Sequence, residues 1–242
     1  MVNANVAMNF LPYGDQAILV NFDQEIDVTI HERVSSFEKA IQAANLKGIN
    51  FVIPAYCSLT IGYDVTIWQF SSLVDALKEC INSEEVAKNN HTRRLRIPVC
   101  YELALDWEEV QTQTQLSKKE VIHLHTSTTF RVFMLGFLPG FPYLGKLDKA
   151  LFCSRKQSPR KQVPARSVAI AGFQTGIYPV EAPGGWQIIG RTPIPLLQTA
   201  KQEPFLFQVG DQVRFYPIVE GQYYDLEQAI QADHFNWEQI YA

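Results

Sequence analysis

The sequence predicts an α+β chain in two parts, an N-terminal ferredoxin-like α/β sandwich domain over residues 1–84 and, after a linker at 85–96, a larger β-barrel or sandwich over 97–242. Three observations carry that prediction. The first part reads as strand, helix, strand, strand, helix. Residues 82–96, NSEEVAKNNHTRRLR, lose all hydrophobic periodicity and mark a domain boundary. From Thr128 onward the strands are short, and turn signals recur about every 8–12 residues.

In chain order, QAILVNF (16–22) follows a Gly14-Asp15 turn and alternates as a strand does. Asp27 opens a helix with Ile30, Val34, Phe37 and Ile41 on one stripe, and Gly48 closes it. INFVI (49–53) and SLTIGYD (58–64) are strands separated by Pro54, which has no N–H for a ladder. A second helix places Ile67, Phe70, Val74, Leu77 and Ile81 on one face. Ferredoxin-like connectivity then requires one more strand that pairs back. Beyond the linker, RIPVCY begins a strand, and Ser117 to Glu120 has the capping-box pattern of a helix that runs through His125. A Gly210-Asp211 hairpin joins FLFQV to QVRFYPIV, and a helical tail spans Tyr224 to Tyr241.

Composition bounds the function. With 242 residues, 47% of them hydrophobic and 19% charged, the chain has an ordinary globular make-up. No stretch of about 18 apolar residues is present, so a membrane span is not expected. The first fifteen residues lack a basic segment followed by an apolar core, and the four cysteines stand far apart without a CxxC; a reduced cytoplasmic setting is expected. The net charge is −4, yet Arg131 to Val180 holds eight Lys or Arg and a single acid, Asp148. A local cationic surface on an acidic chain attracts anions. Nucleic acid is not the expected partner, because the patch is confined and no recognition module accompanies it.

Within that window Gly140 to Lys146 matches the first seven positions of a phosphate-binding P-loop, but Leu147 stands where the metal-ligating hydroxyl belongs and Pro142 lacks an amide N–H. It reads as a rigid loop instead. His123 and His125 form an HxH pair on a helix, where positions i and i+2 diverge, so no metal site is expected. His125 alone is the candidate general acid or base. Ser154 and Ser167 lack a nucleophile-elbow context. Arg155 and Arg160, separated by a turn that Pro159 stiffens, are candidates for a carboxylate or phosphate site, with a solvated basic loop as the alternative. The aromatic density of Phe137, Phe141, Tyr143 and Trp186 among glycines is expected to form a heteromeric interface, with a structural core as the alternative.

The strings GFLPGFPYLG, SRKQSPRK, VPARSVAIAGFQTGIYP and PGGWQIIGRTP, together with GDQAILVNF and INFVIPAYCSLTIGYD, are specific. They resemble the family of the 5-oxoprolinase B subunit, also called KipI or allophanate hydrolase subunit 1, along nearly the whole chain. That resemblance implies a cyclophilin-like C-terminal barrel and pairing with the homologous, KipA-like C subunit of 5-oxoprolinase and with its A subunit as third member. It further implies ATP-dependent opening of 5-oxo-L-proline to L-glutamate, with ATP, accompanied by Mg²⁺, as cofactor. It also admits a regulatory member that inhibits a sensor histidine kinase. The matching motifs imply that Arg155, Arg160, Gln174, Thr175 and Arg191 contact substrate or nucleotide. Departures from the motif include Ser154 for a proline, Ala182 for a serine and Arg166 for a glycine. A peptidyl-prolyl isomerase would rest on barrel analogy alone.

Overall fold

The computed structural model describes residues 8–82, 93–198 and 203–241. It forms two compact units, Met1–Asn90 and His91–Ala242. The expected linker falls mostly on residues 83–92, which lie outside the described set; its last residues do not, because strand β5 begins at Arg94.

The first unit holds strands β1 (Asn9–Pro12), β2 (Ala17–Asn21), β3 (Ile49–Pro54) and β4 (Ser58–Tyr63) and helices α1 (Val28–Ala44) and α2 (Phe70–Asn82). Helix α1 starts where Asp27 accepts the Thr29 and Ile30 amides through Oδ1, at 2.8 and 3.1 Å. It stops at Asn45, whose backbone is left-handed, three residues before the expected Gly48. Ile30, Val34, Phe37 and Ile41 are buried as their spacing requires. Helix α2 begins later than its stripe predicts: Thr66 and Trp68 fold into a turn closed by Asp64, and Ile67 is 45% exposed.

The sheet order is β1-β2-β4-β3, antiparallel throughout. This differs from the expected ferredoxin-like connectivity. The fourth position is filled by β1, which precedes the first predicted strand, and no strand after α2 pairs back among the described residues. NFLP (9–12) is short and ends in proline, so it carries little strand signal; what holds it is the register Asn9↔Asn21 to Pro12↔Ile18 and the packing of Phe10 on the core.

In the second unit seven strands close a barrel in the order β10-β7-β6-β13-β5-β12-β9. They are β5 (Arg94–Cys100), β6 (Thr129–Leu135), β7 (Pro142–Gly145), β9 (Ser167–Ala171), β10 (Gln174–Ile177), β12 (Gln187–Arg191) and β13 (Gln212–Ile218). β8 (Arg160–Val163) and β11 (Ala182–Gly184) form a separate two-stranded ribbon. β13 runs parallel to β5, and Ile97, Val99, Phe130, Val132, Leu144, Ile170, Ile177 and Phe215 fill the interior. Helix α3 (Trp107–Thr114) follows β5, α4 (Lys118–Ser127) carries the predicted capping box, and α5 (Glu220–Gln231) follows β13.

The Gly210-Asp211 hairpin does not form. FLFQV instead meets the 196–198 segment, through Leu206 N to Leu196 O at 2.9 Å and Gln198 N to Pro204 O at 2.7 Å. Asp211 is held by Arg93 and by the Gln208 amide, so its carboxylate fastens the corner that a hairpin would otherwise make. The predicted tail helix is also shorter, since α5 ends at Gln231 and only a 3₁₀ turn, Trp237–Ile240, follows.

Candidate functional site

The basic window folds into a loop, 152–160, that is fastened at Ser154 and Lys156 and again at Arg160. Ser154 N donates to Gln113 Oε1 at 2.8 Å, Gln187 Nε2 donates to Ser154 O at 3.0 Å, and Lys156 N donates to Gly185 O at 2.7 Å. Below the loop lies Asp106, fully buried just ahead of α3. Its carboxylate accepts both Arg160 Nη groups, the one to Oδ2 at 2.8 Å, as well as Lys156 Nζ at 2.9 Å and the Ile188 amide at 2.7 Å. Lys156 Nζ also reaches Glu109 at 2.6 Å. Burial opposes ionisation of Asp106, but the hydrogen bonds from Arg160, Ile188 N and Lys156 outweigh it and hold the carboxyl below its ordinary range.

The two candidate arginines therefore part company. Arg160 is turned inward onto Asp106, which corrects the expectation that both guanidinium groups offer themselves to an anion; a carboxylate 54 positions earlier already takes its fork. Arg155 is exposed, its guanidinium 5.9 Å from the centre of the Trp186 ring, with no acidic partner among the described residues. Because residues 154 and 156 are both fastened, the backbone presents Arg155 in a fixed place.

His125 is enclosed in the barrel. Its ring stacks on Phe215 at 4.5 Å, Nδ1 lies 2.6 Å from Tyr101 Oη, and Nε2 lies 3.0 Å from Thr175 Oγ1. Thr175 Oγ1 donates to Ala169 O at 3.0 Å, which leaves its oxygen to accept from Nε2–H and makes Nδ1 the acceptor of the tyrosine hydroxyl. The array Tyr101, His125, Thr175 is thus satisfied from end to end without solvent. Burial pushes the His125 pKa down to about 3. The expectation of a general acid or base at His125, and of substrate contact at Thr175, meets side chains fully occupied within the core. His123 is exposed, so the HxH pair diverges.

Gln174 is half-buried at the start of β10, and Arg191 closes β12, where Nε donates to Ala165 O at 2.9 Å. Arg166 stands in the left-handed region at φ 66, which explains why the related motif has glycine there. Its Nη2 meets Glu227 Oε1 at 2.5 Å and its Nη1 donates to Pro193 O at 3.0 Å. The aromatic group divides as well. Phe141 and Trp186 are buried and pack edge to face with Tyr143 and Tyr178 over the outer side of β9, the core alternative, whereas Phe137 is 68% exposed at φ 65. The P-loop-like string supplies β7, a strand that leads into no phosphate-cradling helix.

Asp106, Tyr101 and Tyr223 were invisible to motif reading. The one available signal was Asp106 just before WEEV, which reads as a helix cap, yet its side chain makes no capping bond.

Residues 8–207 match the family described as carboxyltransferase domain, subdomain C and D. The 5-oxoprolinase B subunit of Bacillus subtilis (strain 168) is 40% identical over 223 residues, covering 87% of this chain and 93% of that protein. That of Escherichia coli O157:H7 is 36% identical over 212 residues, covering 86% and 95%. In structure, the Kluyveromyces lactis urea amidolyase superposes with a TM-score of 0.81 at 20% identity, over 95% of this chain and 16% of that one, a likeness of fold. On this agreement over most of its length with the bacterial proteins, the chain belongs to the 5-oxoprolinase B-subunit family.

Proposed function

We propose that this chain is the B subunit of an ATP-dependent 5-oxoprolinase, which hydrolyses 5-oxo-L-proline to L-glutamate coupled to ATP hydrolysis and works with the homologous C subunit and the A subunit of that enzyme. The observation that carries this reading is 40% identity across nearly the full length of a 5-oxoprolinase B subunit. The chemistry agrees with it. A five-membered lactam opens reluctantly near neutral pH, so coupling to phosphoryl transfer is required, and charge that develops on phosphate and amide oxygens needs fixed cationic donors.

In this chain the donor that fits a phosphate oxygen is Arg155, held by a fastened loop and unpaired among the described residues. ATP, with Mg²⁺, supplies the phosphoryl group to the assembly. This chain's share is to orient an anion at Arg155 while Asp106 and the Arg160 fork keep the loop in register. Because the B subunit is proposed to work only together with the C and A subunits, the chain is proposed to be inactive alone. Phe137, exposed on a left-handed backbone, is the proposed contact for the homologous partner. No helix among the described residues is long and apolar enough to cross a membrane, and a cytoplasmic location is part of the proposal.

The deciding experiment mixes the purified chain with its two partner proteins and measures ATP-dependent glutamate formation from 5-oxo-L-proline. Glutamate that requires all three proteins supports the reading. Absence of glutamate, accompanied by inhibition of histidine-kinase autophosphorylation, would replace it with the regulatory one.

A further inference from the structure

A second cluster, separate from the Arg155 loop, gathers where α5 meets the turn from β8 to β9. Tyr223 and Glu227 stand four residues apart on one face of α5. Glu227 binds Arg166 Nη2, Arg166 Nη1 binds Pro193 O, and Thr192 N donates to Arg166 O at 3.0 Å. Arg191, next to Thr192, uses only Nε, on Ala165 O; both of its Nη groups are without a partner among the described residues. Tyr223 is 1% exposed, and its hydroxyl likewise makes no hydrogen bond there. A buried hydroxyl left without a partner is costly, and such atoms ask for an explanation. Burial pushes the Tyr223 pKa up, while Arg166 and Arg191 both lie near enough to oppose that rise.

Charge selects the ligand. Of the charged side chains that act on Tyr223, Arg166 and Arg191 are positive and Glu227 is negative, a balance of one positive charge, while Glu220 faces the neighbouring Tyr224. That suits a monoanion rather than a triphosphate. Glu227 withdraws Arg166 from ligand duty and leaves Arg191 as the free fork.

We infer that Arg191 and Tyr223 form a carboxylate-binding site, the Arg191 Nη groups and the Tyr223 hydroxyl donating to the two oxygens of a small carboxylate. The inference rests on the 5-oxoprolinase reading for the identity of that ligand, the carboxylate of 5-oxo-L-proline. It separates the work of the chain's cations, with phosphate at Arg155 and the substrate carboxylate at Arg191.

The test has two arms. In the first, the chain labelled at tyrosine Cζ with ¹³C is titrated with sodium acetate, 5-oxo-L-proline and inorganic phosphate. The resonance that vanishes in Tyr223→Phe should move with both carboxylates and stay still in Arg191→Ala. A resonance that moves with phosphate alone, or with nothing, overturns the site. In the second arm the three-protein assembly is assayed with Tyr223→Phe and Arg191→Lys, each expected to raise KM for 5-oxo-L-proline about tenfold or more with KM for ATP unchanged. Unchanged KM for 5-oxo-L-proline in an active assembly overturns the site and leaves the functional reading standing. Carboxylate binding in the first arm by a chain whose assembly makes no glutamate upholds the site and removes the functional reading. Tyr223→Phe should also keep or raise Tm, because it deletes an unpartnered buried hydroxyl; a lowered Tm would show that the hydroxyl has an internal partner and defeat the assignment.

Discussion

Asp106 shows how much one buried carboxylate can organise. It is fully buried yet ionised, because Arg160, Lys156 and the Ile188 amide together supply what water would have. Asp106→Asn keeps the shape and removes the charge, so it should destabilise the chain by about 3–5 kcal/mol in urea unfolding. The pH dependence has a definite sign. The folded pKa lies below the unfolded value, so the stability from Asp106 is present above about pH 4 and lost as pH falls through the folded pKa, and that acid loss should be smaller in Asp106→Asn. His125 acts in a higher window. With its pKa held at about 3, it stays neutral when folded but takes up a proton when unfolded below about pH 6.5, so stability falls as pH drops from there toward 3. His125→Gln should flatten that slope. Because both ring nitrogens are occupied inside the barrel, the same variant should lower Tm yet leave turnover per folded assembly near wild type; a large fall in turnover at unchanged Tm would restore the general acid–base role.

At the scale of elements, the 152–160 loop delivers one guanidinium outward while its neighbours are tied, whereas at the β8–β9 turn the guanidinium of Arg166 is itself tied, to Glu227 and to Pro193 O. Arg155→Ala should weaken ATP binding by the assembly by about 1–3 kcal/mol with little change in Tm, whereas Arg160→Ala should chiefly lower Tm. Thermal unfolding and KM for ATP, measured on both variants, separate the two roles. Equal behaviour of the pair would argue against the inward assignment of Arg160. At the β8–β9 turn, Arg166 gives up the freedom of the related glycine in return for its bond to Glu227. Arg166→Gly exchanges one for the other and should change stability little. Arg166→Val loses the bond and also forces a β-branched residue to φ 66, so it should cost about 1–3 kcal/mol in denaturant unfolding.

For the whole molecule, the consequence is a chain that supplies binding groups to an assembly rather than a complete catalyst. Its cationic window is less cationic in space than in sequence, since Asp106 and Glu109 reach into it from outside its boundaries. Phe137 is the aromatic side chain of the GFLPGFPYLG loop that faces outward. Phe137→Ser should leave Tm unchanged and reduce co-purification with the homologous partner. Undiminished co-purification would move the contact elsewhere.

The features legible in the string of residues were local or motif-borne. The stripe Ile30, Val34, Phe37, Ile41 and the capping box at Ser117 and Glu120 are set by neighbours three or four residues apart, and both appear in the fold as their spacing requires. The long Gly-, Pro- and Trp-rich motif was enough to identify the family. The rest depended on contacts made in the folded chain. Folding placed β1 at the edge where a later strand was expected, diverted FLFQV from its hairpin, and sent Arg160 to an aspartate 54 residues away while leaving Arg155 without an acidic partner among the described residues. The physical reason is that a guanidinium finds its partner through space. Two arginines five residues apart in one loop look alike in a string of letters, and only the position of a buried carboxylate contributed by another element tells them apart.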